Sequence, residues 1–130
     1  MNELEILKTL HLLAAATWTG GLIVLGFLVS AIRKTTDDRE VLRATARRFS
    51  VVSWTAMVVA LATGIRLYFI WEAEPEDFLL KWNLITVVII AALVHQFTAR
   101  RTSPAVRGIL QLVILLLSVG IFAAAVALPF

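Results

Sequence analysis

Three ionisable side chains interrupt long apolar runs in this chain: His11, Arg66 and Lys81. Imidazole ligates metals and carries protons, and guanidinium and ammonium groups bind carboxylates and phosphates. Charge inside hydrocarbon is costly, so each of the three is a functional candidate by default. A histidine facing two cations suggests a pocket for an anionic or metal-bearing molecule. The residues around His11 narrow the chemistry. Ala14, Ala15, Trp18 and Leu22 follow it at helical spacing and share its face. The small residues leave room beside the imidazole, and Trp18 offers a flat wall two turns on. Gly20 and Gly21 permit close approach of a neighbouring helix or a planar ligand. Such a groove suits a porphyrin, with His11 as an axial ligand to iron and Arg66 and Lys81 on its propionates.

A plainer reading of the same residues stands beside this one. A histidine near a helix end can be solvated or hydrogen-bonded. Arg66 and Lys81 can extend to the interface from one turn inside. Ala, Gly and Trp18 are also ordinary packing residues.

The elements that must carry these groups are membrane spans. Of the 130 residues, 60% are hydrophobic, where a soluble domain has roughly 45–50%. Four segments are long enough to cross about 30 Å of hydrocarbon as helices: approximately 7–32, 49–71, 78–97 and 106–128. The first is too long for the h-region of a signal peptide, about 7–15 residues, and reads as a retained span. Backbone in lipid must satisfy its own hydrogen bonds, so an all-α four-helix bundle in a single transmembrane domain is expected.

Turn chemistry agrees. In Thr35-Thr-Asp-Asp-Arg-Glu40, Asp37 as N-cap with Glu40 three residues on resembles a capping box, which starts the second helix near Asp38. Pro75 suits the first position of the third helix, with Glu76 and Asp77 at its positive end. Ser103-Pro104 opens the fourth in the same way.

Charge sets the predicted orientation. Arg33, Lys34, Arg39, Arg43, Arg47 and Arg48 follow the first span, and Arg100, Arg101 and Arg107 follow the third. Acidic residues Glu3, Glu5, Glu72, Glu74, Glu76 and Asp77 lie on the other side. The positive-inside rule puts both basic loops in the cytoplasm and both termini outside, in an inner (cytoplasmic) membrane. Trp71 and Trp82 fit an outer interfacial belt. His11, Arg66 and Lys81 then share one depth, near the outer face.

His95 is a separate matter. It follows Lys81 by fourteen residues, about 21 Å along a helix axis, which puts it in the leaflet opposite His11. One chain should not hold one iron through both histidines. A hydrogen-bonded interfacial residue, a second cofactor site and a proton-path role are all open to His95.

Several chemistries lack their residues. There is no cysteine, which removes thiolate metal sites, iron–sulfur clusters and covalent c-type haem. No Asp or Glu falls within a predicted span. Copper would call for clusters of Met, His or Cys, and only Met1 and Met57 are present. The formal net charge of +3 includes no basic tract that would suggest nucleic acid.

The stretch Leu10-His11-Leu-Leu-Ala-Ala-Ala-Thr-Trp18-Thr-Gly20-Gly21 resembles the His-x6-Trp-x-Gly start of HemJ-type protoporphyrinogen oxidases, and also the membrane domain of CopD-type copper-resistance proteins. Thr63-Gly64 is similar to both. Phe78-Leu-Leu-Lys81, the apolar run to His95, and the ending Leu128-Pro129-Phe130 are similar to the HemJ type. Where that family's first helix continues to Pro-Arg-Leu-Phe and a further histidine, Gly26-Phe-Leu-Val-Ser-Ala-Ile-Arg33 stands here. The HemJ resemblance implies haem b, with His11 and Lys81 essential, and oxidation of protoporphyrinogen IX with electrons leaving to a quinone or respiratory chain. The CopD resemblance implies copper transport or tolerance. A third expectation is an accessory subunit of a larger respiratory or photosynthetic complex. Iron held by His11 would have a sixth position that is open, filled by deprotonated Lys81, or filled by His11 of a second chain, which would make a homo-oligomer.

Overall fold

The computed structural model describes residues 1–72, 74–98, 101 and 103–126. Arg100, the motif Leu128-Pro129-Phe130 and the end of the fourth span at 128 lie outside the described residues. Those described form four helices: α1 (Glu3–Thr35), α2 (Arg39–Ile70), α3 (Pro75–Thr98) and α4 (Pro104–Val126). Each is long and apolar enough to cross a membrane. The chain is thus all-α and reads as a multi-pass membrane protein. Hydroxyl groups follow the rule for lipid. Thr17, Thr55 and Thr86, all on outward faces, donate to the carbonyls of Leu13, Val51 and Trp82 one turn back.

The helices outrun the apolar segments because their caps are polar. Asn2 caps α1 and forms a capping box with Glu5, each accepting from the other's backbone N–H at 2.9 and 3.1 Å. The second helix is capped by Asp38, not Asp37: Asp38 Oδ1 accepts from Glu40 N at 2.9 Å. Thr36 Oγ1 accepts from Asp38 N at 3.1 Å and fixes the turn that makes Asp38 the cap. Pro75 and Pro104 open α3 and α4 as expected. At the far end of α2, Glu72 takes a left-handed φ of 48°, a conformation that commonly ends helices and usually falls to glycine.

The chain divides into two compact units, Met1–Glu72 and Ala73–Phe130. In the first, α1 and α2 pack against each other antiparallel. Leu4, Leu7, His11, Ala14, Trp18, Leu22, Leu25, Val29 and Ile32 of α1 are buried or half-buried at spacings of three or four, a coiled-coil-like seam. Pairs across it run in opposite order: Glu3 with Arg66, His11 with Ala60 and Thr63, Trp18 with Trp54, Gly21 with Phe49.

In the second unit, α3 and α4 are also antiparallel. Phe78, Lys81, Ile85, Val88, Ala92 and His95 line the seam of α3; Arg107, Gln111, Ile114, Ser118, Ile121 and Ala125 line that of α4. Val88 at 0% exposure and Ser118 at 1% are its tightest points. With lipid as solvent, close packing rather than water exclusion holds helices together. Val88→Phe is therefore expected to destabilise the unit by about 1–3 kcal/mol through overpacking. The outward Val87→Phe, at a site 48% exposed, should leave the melting temperature in detergent nearly unchanged. Equal melting of the two variants would contradict this seam.

Candidate functional site

The polar centre of the first unit is His11. Its ring lies against α2 at Ala60, Thr63 and Gly64. Nδ1 is 2.9 Å from the Ala60 carbonyl oxygen and 3.1 Å from Thr63 Oγ1. The carbonyl can only accept. The Thr63 hydroxyl already donates along its own helix, to Val59 O at 2.6 Å, so it too presents a lone pair to the ring. Both neighbours call for a proton on Nδ1. In the neutral imidazole that leaves the lone pair on Nε2, the tautomer in which a histidine binds a metal through Nε2.

Gly64 makes this placement sterically possible. A Cβ on Gly64 would lie 3.0 Å from His11 Cε1 and 3.4 Å from Nδ1. The glycine of Thr63-Gly64 is thus the floor on which the imidazole lies. Gly21 has a comparable role further down the seam, where an added Cβ would meet Phe49 Cε2 at 3.1 Å. Gly20 has nothing within 4 Å. Of the two glycines expected to admit a close neighbour, only Gly21 has one, and it is a ring rather than a backbone.

Trp18 lies on the His11 face as the spacing requires. It is 7% exposed and meets Trp54 edge-on, with centroids 6.2 Å apart and planes at 71°. Its large ring fills the seam below the histidine.

Arg66 lies in the same unit as His11, paired with Glu3: Nη2 and Nε donate to Glu3 Oε1 at 2.9 and 3.1 Å. Both side chains are more than half exposed, at 57% and 63%. This pair and Lys8, whose ammonium lies 5.1 Å from the Trp71 ring centroid, gather charge at the N-terminal end of α1. The cation–π contact gives Trp71 a neighbour suited to the interfacial place expected of it. Exposed ion pairs contribute about 0–1 kcal/mol. Arg66→Gln should therefore shift the melting temperature by little, and a large shift would give the pair a structural weight that its exposure does not suggest.

Lys81 belongs to the second unit, half-buried on the α3 seam. Further along that seam His95 meets Gln111, whose Nε2 is 3.0 Å from His95 Nε2. Sequence reading singled out His95 but missed Gln111 as its partner. The available signal was a polar residue on each of two consecutive apolar helices, near the loop that joins them.

Among the described residues no group of three or more His, Asp or Glu side chains could hold a metal ion. A metal held by protein side chains alone would have no cage of that kind to enter. A porphyrin differs, because it brings four nitrogens of its own and asks the protein only for axial ligands. The His11 arrangement fits that demand: a ligating histidine typically donates its other N–H to a backbone carbonyl or carboxylate, which fixes its tautomer and orientation. No family model, curated protein or solved structure matches the chain.

Proposed function

We propose that this chain is a membrane haem protein of redox function, with His11 Nε2 as the axial ligand to haem b. The observation that carries the reading is the pair of acceptors, Ala60 O and Thr63 Oγ1, around His11 Nδ1. They orient the ring and hold its proton on the nitrogen away from a metal. Gly64 contributes by leaving the space that the ring occupies. When bound, haem would supply reversible one-electron chemistry. The chain's own residues hold the ligand's orientation and tautomer and supply cations at the unit's polar end.

The resemblance to HemJ-type oxidases extends the proposal. The substrate class would be a porphyrinogen, the acceptor a quinone or respiratory carrier, and Lys81 a second essential residue. The membrane would be the cytoplasmic one, with the basic loops inside. Copper handling of the CopD type has less behind it, because copper calls for clusters of Met, His or Cys and the sequence has two Met, two His and no Cys.

The test is a pyridine haemochrome spectrum of detergent-purified protein from haem-replete cells, with oxidised and reduced visible spectra. A Soret band with sharp reduced α and β bands, at one haem per chain or per pair of chains, is expected. A colourless preparation would end the proposal, and elemental analysis of the same sample for copper would then decide the CopD alternative.

A further inference from the structure

A second polar cluster belongs to the second unit, at the end of the α3·α4 seam next to the basic connection between those helices. It consists of His95, Gln111 and Arg107. The last two are one turn apart on one face of α4. Two of its nitrogens, His95 Nδ1 and Arg107 Nε, are buried with no hydrogen-bond partner among the described residues.

Both orphans are donors. Arg107 Nε always carries a proton. Gln111 Nε2 is an amide nitrogen and can only donate, so across 3.0 Å it gives a hydrogen to His95 Nε2. In a neutral imidazole the proton is then on Nδ1. Two buried N–H groups thus require an acceptor. A buried donor left unpaired is destabilising, and the Arg107 charge adds to that demand.

Among the described residues no acceptor meets either nitrogen. The ion pairs among the described residues are Arg47–Glu40 and Arg66–Glu3, both in the first unit. The sequence has no acidic residue between Asp77 and its end. What would complete the cluster is an oxygen-rich anion that reaches the end of a membrane helix pair. All three residues are half-buried: part of each side chain reaches the surface, while His95 Nδ1 and Arg107 Nε are themselves covered. A membrane presents such an anion at this depth: the phosphate of a glycerophospholipid headgroup. Basic sites between spans near the headgroup region are suited to such recognition.

We propose that Arg107, His95 and Gln111 bind a phosphate-bearing anionic lipid headgroup at the basic-loop end of the second helix pair. Arg107 supplies charge and the Nε–H donor, His95 supplies Nδ1–H, and Gln111 holds the histidine in the donating tautomer. The proposal is independent of haem binding and would survive its failure.

Native mass spectrometry tests it on the full chain in detergent, titrated with phosphatidylglycerol or with phosphatidylcholine. The wild type should retain phosphatidylglycerol selectively. Arg107→Gln should weaken that retention about tenfold or more, equivalent to about 1.4 kcal/mol. Arg101→Gln, which removes an exposed cation from the same loop, should retain it like the wild type. Inorganic phosphate is the second arm. Displacement of the lipid by phosphate identifies the headgroup phosphate as the recognised part. Thermal stabilisation by phosphate but not by phosphatidylglycerol would assign the site to the free ion and overturn the lipid proposal. Equal losses in Arg107→Gln and Arg101→Gln would reduce the effect to general charge and overturn it, as would equal retention of the two lipids. If Arg107→Gln fails to insert, His95→Leu keeps the cation, removes one donor, and should still lower the selectivity.

Discussion

His11→Gln is expected to yield a folded protein that binds no haem. The substitution removes the Nε2 lone pair, the proposed ligand to iron, but it leaves an amide near the Ala60 carbonyl. A glutamine at this position can still donate to Ala60 O, so the α1·α2 seam keeps a polar contact there. Replacing one hydrogen bond with another should change stability by no more than about 1 kcal/mol. His11→Ala removes both functions. It should lose the cofactor equally and also destabilise the pair, by about 0.5–1.5 kcal/mol for the lost hydrogen bond. Changing a residue that merely orients a metal ligand costs about 10–100-fold in affinity, so removing the ligand itself should cost more. The measurement is haem per chain by pyridine haemochrome, alongside helicity and melting temperature in the same detergent. Full haem occupancy in a folded His11→Gln would remove His11 from the coordination sphere.

Much of the first unit was legible in the sequence because a single period governs it. The face His11, Ala14, Trp18, Leu22 is the face that packs, since the residues that pack in lipid are those that let helices approach, and small side chains show this directly. Within the first unit the relative level of His11 and Arg66 was legible for the same reason, as rise per residue is constant along a helix. What depth could not supply is lateral direction. Arg66 is near the level of His11, yet it turns to Glu3. Nothing in the spacing of α2 shows that the capped start of α1 brings a carboxylate there. The shift of the cap from Asp37 to Asp38 has a similar origin: two adjacent residues of the same type compete, and the Thr36 hydroxyl, through backbone geometry, decides between them. His95 with Gln111 needed the register of α3 against α4, which also sets Leu84 beside Gly120 and is not written in either helix alone. The helices also exceed the expected spans because hydropathy measures the apolar part, while caps such as Asn2 lie beyond it.

Gly64 is where a small change should have a large effect. It faces the imidazole of His11, and a Cβ there would lie 3.0 Å from Cε1, closer than such atoms normally come. Alanine can be accommodated only if the imidazole gives way by a few tenths of an ångström. The ring is held at Nδ1 by acceptors that belong to the same stretch of α2, Ala60 and Thr63, so it cannot back away without lengthening those bonds. Gly64→Ala is therefore expected to lower haem affinity about 10–100-fold, the range for disturbing the orientation of a ligating histidine. Gly64→Leu should displace the ring altogether and add about 1–3 kcal/mol of overpacking. Gly20→Ala is the matched control, because that position has no neighbour within 4 Å. Alanine is also the better helix former, by about 1 kcal/mol in a helix interior, so helix propensity alone would make both variants at least as stable as the wild type. The two effects oppose each other at Gly64, whereas at Gly20 helix propensity acts alone. Gly20→Ala should keep its haem and match or exceed wild-type stability, while Gly64→Ala should lose haem even where its helices melt no earlier. Haem occupancy in Gly64→Ala equal to that of Gly20→Ala would show that the ring has room to move, and that Gly64 does not position it.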